Sequence, residues 1–440
     1  MNNSVDKTQQ RLDLWCSGSD VAFKNKEAEK AYKDRATRIA NAIQLKTPDR
    51  VPIAPLVTFF AANYAGLSAQ EVMYDYDKAV AAHRKTFLDF QWDVAMSHTV
   101  SFSGPFFEAL DYKQLKWPGH GVPPTRTYQF VEGEYMLPHE YDAFLEDPSD
   151  FLVRVYLPRI SGALQPLQML PPLRMLVPYY LGLLTVFGAA SALGVSSAIE
   201  ALLKAMVEFG KFAASAAALQ EEFRSLGFPI ILGGMTQAPF DTIGDSLRGT
   251  QGIMLDMYRQ PDKLLMAMDK ILPIAIQMGV LSAMTGPCPT VFIPLHKGPM
   301  GFMSLDQFKT FYWPTLQKLM LALIDEGLVP MPFIEADYGD RLETIKDIPR
   351  GKAIYWFERT DVFKAKEILG DRVCIKGNVP SALLCTGTPD EVKAYVKKLI
   401  DIVGKDSGLI VDGDIGIPDE AKPENVKAMT EFVKEYGVYK

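Results

Sequence analysis

The chain has 440 residues, of which 48% are hydrophobic, so it can bury a large core in one large domain or two ordinary ones. A net charge of −7 and a pI near 5.5 exclude a strongly basic surface of the kind that binds nucleic acid. The four cysteines include no CxxC pair, and the polar first residues lack a signal-peptide pattern. We therefore expect a cytoplasmic protein rather than a secreted, disulfide-bonded one.

The first part of the chain mixes a charged helical pattern with apolar strand patterns. Residues 1–45 predict a helical N-terminal extension, and "TPDRVPIAPLVTFF" then predicts a strand from Val51 to Leu56. "WDVAMSHTVSF" is a second strand-like run. Residues 117–159 are rich in Pro, Gly and aromatic residues, which indicates an inserted excursion or lid. We expect one domain over residues 46–440, interrupted by this excursion.

Residues 160–222 are rich in Ala and Leu and predict helices. From Met175 to Ile199 the chain carries no charge over 25 residues, which is long enough to span a bilayer. No basic cluster flanks this stretch, and it is interrupted at Pro178, Gly182, Gly188 and Gly194. We therefore expect a buried or partner-facing helical segment and no membrane association.

After Phe228, strand patterns alternate regularly with helix patterns. Six strands are predicted in "FPIILGGMT", "TVFIPLH", "VPMPFIEA", "KAIYWFE", "RVCIKGN" and "GLIVDGD". Such alternation is typical of parallel βα units. Together with the one or two earlier strands, it predicts a (β/α)₈ TIM barrel. The alternative is an open, doubly wound sheet, but no GxGxxG dinucleotide motif supports it.

Polar residues follow the predicted strands at their carboxyl ends. In a parallel barrel these ends meet at one face, where catalytic residues lie. Several acids at one mouth repel one another, so either some pKa values rise or a cation lies among them. The sequence thus leaves two interpretations of these residues, a general acid and a metal site. The residues are His296, Lys297, Glu335, Asp337, Glu358, Asp361, Lys376, Asn378, Asp412 and Asp414.

Ordinary structural roles compete at several of these positions. They are a buried histidine for His296, a helix N-cap for Asp361, and tight turns for Asn378, Asp412 and Asp414. Glu335 is different because it follows the buried strand residues Phe333 and Ile334 directly. We expect Glu335 to point into the barrel mouth and to be the principal functional residue.

The C-terminal third carries a recognisable set of motifs. "GDRVCIKGNVPSALLCTGTPDEVKAYVKKLI", followed by "GLIVDGDIGIPDEAKPENVKAMTEFVKEYG", resembles the end of the uroporphyrinogen decarboxylase superfamily. The shared features are a GN after a strand, a GTPEEV-like helix start, a GIP-like turn and P-E-N-V opening the last helix. The early "TPDRVPI" resembles the family's N-terminal strand. The resemblance runs from about Arg38 to the C-terminus and implies a (β/α)₈ barrel.

The resemblance to the true decarboxylases fails at their substrate-binding positions. Their loop after the first strand carries arginines for the acidic porphyrinogen, whereas "LVTFFAANYAG" carries none. Their F-S-D-I-like aspartate has only "VSFSGPFF" as its nearest counterpart, and their late histidine falls at or near Ile415. Porphyrinogen decarboxylation is therefore not expected.

The other branch of the superfamily transfers methyl groups to or from corrinoid carriers with the help of zinc. Its H-x-C-G strand tip aligns with "EADYG", so Glu335 would replace the histidine and Asp337 the first cysteine. Asp414 would replace the second cysteine. Carboxylates in place of sulfur allow zinc but also harder divalent ions, and they put thiol activation in doubt.

The resulting prediction is a methyltransferase that moves a methyl group between a small, apolar or aromatic substrate and cobalamin on a separate corrinoid carrier protein. A homodimer is compatible with it. The chain has no D-x-H-x-x-G corrinoid-binding motif of its own. The alternatives are a cofactor-independent decarboxylase or lyase of a non-porphyrin acid, and a non-catalytic carrier-docking subunit.

The predicted site residues fall into three groups. Glu335, Asp337 and His296 are the catalytic candidates, and Glu335, Asp337 and Asp414 are the candidate metal ligands. An apolar pocket is expected because Phe59 and Phe60 stand where the decarboxylases place arginines. Its predicted substrate-binding residues are Phe59, Phe60, Tyr64, Phe106, Tyr338, Trp356, Glu358 and Asn378, with Trp117 also expected to line it.

Overall fold

The computed structural model describes residues 6–440, which form a closed parallel barrel. Each strand of the main sheet pairs in parallel with the next. In chain order these strands are Gly234–Met235, Thr290–Leu295, Val329–Ile334, Ile354–Phe357, Cys374–Lys376 and Leu409–Ile410.

Two earlier segments close the barrel. Ile53 pairs in parallel with Val411, in the last strand segment. The Asp93 N–H donates to the Ile53 carbonyl at 3.0 Å, and Ala95 pairs in parallel with Ile230. Residues 51–57 and 93–96 are therefore the first and second of eight parallel segments. This confirms the (β/α)₈ prediction and excludes the open sheet.

Helices surround the barrel and extend from it. The N-terminal extension forms Lys7–Ser17 and Lys26–Ile43. Between the first and third barrel segments lie Phe60–Tyr64, Ala69–Tyr74, Tyr76–Phe90, Gly104–Leu110, Tyr141–Glu146, Pro148–Phe151, Leu157–Ile160, Tyr179–Ala192 and Val195–Ser225. The later helices are Pro239–Asp241, Gly249–Arg259, Pro261–Ser282, Leu305–Gln307, Trp313–Asp325, Leu342–Ile345, Val362–Leu369, Ser381–Thr386, Pro389–Ile402 and Pro423–Tyr436.

Local sequence signals explain where several of these helices begin. Asp361 accepts backbone hydrogen bonds from Phe363 and Lys364 and so caps Val362–Leu369, as predicted. Ser304 and Thr388 each form a capping box at the start of their helices. The helical stretch that follows Ser304 contains a π-helical turn at Phe308–Tyr312, which the periodicity did not predict.

The N-terminal extension closes one end of the barrel. Met331, Ile354 and Cys374 point into the barrel interior and belong to one buried cluster with Trp15 and Ile39 of the extension. This apolar layer seals the amino end of the strands, because side chains there have no access to water. The open mouth of the barrel therefore lies at the carboxyl end of the strands.

Residues 117–159 lie at the rim of that carboxyl end. They contribute to a small sheet of Leu115–Pro118, Gly121–Val122 and Gln129–Phe130. Tyr128 packs edge-on against Phe59, after the first strand segment, and Glu132 lies 4.0 Å from Lys297, after the fourth. The excursion thus borders the mouth, while the domain boundaries at residues 45 and 46 stay a prediction.

Two apolar stretches are long enough to cross a membrane by length and composition. One is Pro261–Thr285; the other is the pair Tyr179–Ala192 and Val195–Ser225, which is bent by 83° at its break. The predicted helical character of residues 160–222 is confirmed. The absence of membrane association and the cytoplasmic location stay predictions.

Candidate active site

His296 and Glu335 meet at the carboxyl ends of two neighbouring strands. The strand pairing places Leu295 beside Ile334, so the next residues, His296 and Glu335, lie side by side. The His296 Nε2 atom lies 3.4 Å from a Glu335 carboxylate oxygen. Both side chains remain about one-third exposed, so they are accessible from the mouth.

Asp245 holds the other side of the imidazole. Its Oδ2 atom lies 2.6 Å from His296 Nδ1, so both ring nitrogens face carboxylates. Burial by itself lowers the pKa of His296, but the hydrogen bond and charge of Asp245, with Asp241 and Glu335, raise it to about 9. His296 is therefore a cation at neutral pH.

A second buried carboxylate, Asp241, fixes the backbone at this position. It accepts hydrogen bonds from the N–H groups of His296 and Lys297 at 3.2 and 2.9 Å, and from the Tyr312 hydroxyl at 2.5 Å. Burial and the nearby charge of Asp245 raise the pKa of Asp241 to about 6. Tyr312 comes from the π-helical turn, so that irregular turn positions the mouth.

Lys297 and Gln237 complete the surroundings of Asp245. The Lys297 Nζ atom lies 3.0 Å from Asp245 Oδ1 and 2.8 Å from the Thr250 hydroxyl oxygen. Gln237 Nε2 donates to Asp245 Oδ2 at 2.7 Å. Burial raises the pKa of Asp245, but His296 and Lys297 outweigh it, and the pKa falls below its usual value. Asp245 thus remains an anion.

Glu335 differs from Asp245 because its pKa is raised, so it retains its proton more strongly. Burial raises its pKa to about 7, with Glu358, Asp241 and Asp245 adding to the rise against the opposing charge of His296. The next residue, Ala336, has a left-handed backbone with φ +57°, and its N–H donates to Glu358 at 2.5 Å. This strained turn ends the strand and directs Glu335 to the mouth.

The structure does not bring the three predicted metal ligands together. Asp337 is exposed and accepts from the Gly339 N–H at 2.9 Å, and Asp414 accepts from the Ser381 N–H at 2.9 Å. Among residues 6–440, no group of three or more His, Cys, Asp or Glu side chains is arranged to hold a metal ion. The donor set of Glu335, Asp337 and Asp414 therefore does not fit a metal, and Asp337 is separated from the His296–Glu335 pair.

The predicted aromatic pocket is not formed by the side chains named for it. Phe60 and Tyr64 pack on Phe90 of helix Tyr76–Phe90, with ring centroids 5.9 and 5.3 Å away. Phe59 packs against Tyr128, Phe106 against Phe209, and Trp117 against Phe107. Aromatic rings after the first strand bury more surface against the surrounding helices than at a wet mouth, so they join the core.

Tyr338 and Trp356 are also core side chains. Tyr338 is fully buried and meets the Phe308 ring edge-on at 5.9 Å. Trp356 lies inside the barrel, with its ring centroid 4.2 Å from that of Phe333.

Glu358 and Asn378 support the strand ends. Asn378 donates to the Glu358 carbonyl at 3.1 Å and accepts from the Tyr395 hydroxyl at 2.9 Å. With the Glu358 carboxylate bound to Ala336, the two residues tie three consecutive strand ends together. Their contacts therefore position Glu335, and their predicted contact with a substrate stays a prediction.

Asp241 and Asp245 were missed from the sequence, although the same reasoning applies to them. They follow the third strand, in "GGMTQAPFDTIGD". Polar residues at the carboxyl end of a barrel strand are candidates for catalysis. Deeper in the barrel, the predicted tips Lys376 and Asp412 form a fully buried ion pair. The Lys376 Nζ atom lies 3.3 Å from the centroid of the Trp356 ring.

Comparisons of the sequence with known proteins identify one family. The family model for uroporphyrinogen decarboxylase (URO-D) matches residues 197–436. Uroporphyrinogen decarboxylases from Chlorobium phaeobacteroides and Chlorobium luteolum are 27% and 29% identical over 187 and 184 residues, in each case 41% of this chain. These alignments span 52% and 51% of the two relatives, about half of their length.

A solved structure matches over nearly the whole chain. A methyltransferase from Methanosarcina mazei superimposes with a TM-score of 0.59 at 18% identity, covering 91% of this chain and 98% of that one. At this identity the likeness establishes the fold, a TIM-barrel-like α/β architecture.

Proposed function

Since the chain belongs to the uroporphyrinogen decarboxylase family, we propose that it is an enzyme of the methyltransferase type within that family. The proposed reaction moves a methyl group from a small, neutral, methyl-bearing substrate to a corrinoid on a partner protein. The observation that carries the proposal is Glu335, an acid with a pKa of about 7 beside protonated His296 at the barrel mouth.

The chemistry requires an acid at the heteroatom of the substrate. A reduced corrinoid, when its carrier docks, supplies the nucleophile that accepts the methyl group. As the methyl–heteroatom bond breaks, its electron pair stays on the heteroatom, which needs a proton to become a good leaving group. Glu335 donates that proton and is left as a carboxylate. His296⁺ then stabilises this new negative charge from 3.4 Å.

The remaining residues prepare this pair. Asp245 keeps His296 protonated and oriented, and Asp241 holds the backbone of His296 and Lys297. Because neither residue needs to move, the charges are arranged before the substrate arrives.

The charge of the mouth supports methyl transfer over decarboxylation. Four carboxyl groups, Asp241, Asp245, Glu335 and Glu358, lie at the mouth with three cationic side chains, His296, Lys297 and Arg359. His296 and Lys297 are already paired with Asp245, and Arg359 is paired with Glu358, so a carboxylate substrate would find these cations occupied.

The test compares Glu335→Gln with Glu343→Gln. Glu343 lies on the helix that follows and is largely exposed, so it is a matched control. Methyl ethers, methylamines and methyl thioethers are supplied as donors with free cob(I)alamin as the acceptor, and methylcobalamin is measured by absorbance. We expect at least one donor to react, a loss of about 100-fold or more in Glu335→Gln, and no change in the control.

Two outcomes contradict the proposal. Full activity in Glu335→Gln removes this residue from the mechanism. Absence of methyl transfer from every donor, combined with CO₂ release from a carboxylic acid, assigns the site to a decarboxylase instead.

A further inference from the structure

The interior of the barrel is open beneath its mouth. Met235 lies in the third strand, and yet its side chain is 52% exposed. The strand pairing places Met235 beside Phe292 of the next strand. The hydroxyl of the following residue, Thr236, donates to the Ala275 carbonyl of the outer helix Pro261–Ser282 at 2.6 Å. Because successive side chains of a strand point to opposite faces, Met235 points inward and is exposed to the barrel interior.

Aromatic side chains line the same space. Phe292 is half-buried, and its ring centroid lies 6.2 Å from those of Phe333 and Trp356 inside the barrel. Pro294, the next inward residue of the same strand, is also half-buried. Packed side chains ordinarily fill the interior of such a barrel, so exposure at these positions means that space is left between them. We call the space lined by Met235, Phe292, Pro294 and Phe333 the inner pocket.

The inner pocket opens towards the candidate acid. Phe292 and Pro294 share the inner face of their strand with His296, and Phe333 shares that of the next strand with Glu335. At about 3.3 Å per residue, Phe333 lies about 7 Å below Glu335. The buried apolar layer at the amino end of the strands closes the barrel below. A molecule in the inner pocket therefore presents its upper end to Glu335.

The lining of the inner pocket favours a flat, uncharged ligand. The four side chains that define it carry no charge, and the Lys376 ammonium beyond them, over the Trp356 ring, is neutralised by Asp412. Aromatic rings attract a further ring through offset or edge-on contacts, and methionine sulfur packs well at a ring edge. An aromatic ring thus gains more here than a saturated group of the same size.

The charges at the upper end of the inner pocket determine the heteroatom of the ligand. An amine is protonated at neutral pH, and His296⁺ would repel the resulting cation. Sulfur accepts hydrogen bonds only weakly, so a thioether would gain little from the Glu335 proton. An ether oxygen is neutral and accepts that proton. A phenol has a pKa of about 10, so a phenolic oxygen takes a proton readily from an acid whose pKa is about 7.

We propose that the inner pocket binds the ring of an aryl methyl ether and holds the ether oxygen at Glu335. This inference rests on the proposed methyl transfer and names the substrate class of that same site. When the bond between oxygen and methyl carbon breaks, the oxygen keeps the electron pair and takes the Glu335 proton, so a phenol is released. The methyl group passes to the reduced corrinoid of the partner protein, which supplies the electron pair of the new bond.

Tryptophan fluorescence of the full chain measures binding without any carrier protein. Anisole is titrated as the probe, and cyclohexyl methyl ether, of similar size but without an aromatic ring, is the matched competitor. We expect a saturable change with anisole and at least 10-fold weaker binding of the competitor. Trp356→Phe should remove the fluorescence change, since the Trp356 ring lies beside those of Phe292 and Phe333.

A variant that fills the inner pocket tests its role in turnover, with free cob(I)alamin as the methyl acceptor. Met235→Trp should raise KM for anisole at least 10-fold and leave kcat within about two-fold, because only binding of the ring is impaired. Met266→Trp, on a methionine of helix Pro261–Ser282 that is 55% exposed, is the matched control and should behave as wild type. Phe292→Leu adds no volume and should raise the same KM several-fold, so a folding defect in Met235→Trp does not decide the result.

Two results overturn the inference. One is methyl transfer from another donor while anisole neither binds nor reacts, which leaves the proposed function in place. The other is an unchanged KM for anisole in folded Met235→Trp and in Phe292→Leu. Failure of the proposed function looks different, because anisole would then bind as expected while no donor is demethylated. Glu335→Gln separates the two directly, since it should abolish transfer and keep the affinity for anisole.

Discussion

Asp245 determines the charge of the site at the scale of single residues. It lies between His296 and Lys297 and is the largest favourable influence on the imidazolium. Glu335, by contrast, faces only the imidazole among the cations and has acidic neighbours. One carboxyl is thus kept ionised while another holds its proton up to about pH 7 within the same mouth, which is how a site separates a stabilising anion from an acid.

The pH dependence of stability follows from His296. Its pKa is raised from 6.5 to about 9 in the folded protein. The stabilising contribution is therefore complete below pH 6.5 and is lost as the pH rises through about 9. We expect the melting temperature of wild type to fall between these values more steeply than that of His296→Asn.

Melting curves at several pH values, recorded by circular dichroism, measure this difference. His139→Asn, on an exposed histidine of the excursion, is the control and should follow wild type. Identical slopes for wild type and His296→Asn contradict a raised pKa for His296. Titrating groups that do not interact with His296 cancel in the comparison.

At the scale of elements, Arg341 holds the loop that follows the fourth barrel strand. Its buried guanidinium donates to the carbonyls of Gly298, Pro299 and Met303 at 2.7, 3.2 and 2.6 Å. It also packs over Phe308 at 5.2 Å from the ring centroid. This one side chain links the loop after His296 to the segment after Glu335.

Removing this link should destabilise the protein and displace the site. Arg341→Met leaves three buried carbonyls without a donor, so we expect the free energy of unfolding to fall by about 3 kcal/mol or more. Denaturant unfolding measures the change. Arg359→Met, on an arginine that is 76% exposed, should cost under about 0.5 kcal/mol, and equal losses in the two variants would contradict this role.

The strands and helices were predictable because their signals are local. The apolar runs before His296 and Glu335 and the caps at Ser304, Asp361 and Thr388 mark strand ends and helix starts without any knowledge of the fold. The π-helical turns at Thr242–Arg248 and Phe308–Tyr312 lack such a signal. These turns carry Asp245 and Tyr312, so hydrophobic periodicity could not predict this part of the site.

At the scale of the whole molecule, the barrel explains which predicted residues meet. Adjacent strands place His296 beside Glu335, as their common position at strand ends predicts. Asp337 and Asp414 were grouped with Glu335 by resemblance to a metal site. They lie three and four residues beyond their strand ends, however, and each side chain is directed by its own turn. The aromatic residues after the first strand lie in the core and not in a pocket. Hydrophobic character alone does not distinguish these two positions in a sequence.

The protonation state of Glu335 is the central claim, and infrared spectroscopy measures it directly without substrate or carrier. The absorption of a protonated carboxyl group is recorded as a function of pH for wild type and Glu335→Gln, and their difference isolates this residue. The account predicts a band that disappears with a midpoint near pH 7. A midpoint near the ordinary value of 4.5 would contradict it, because Glu335 would then carry no proton to donate at neutral pH.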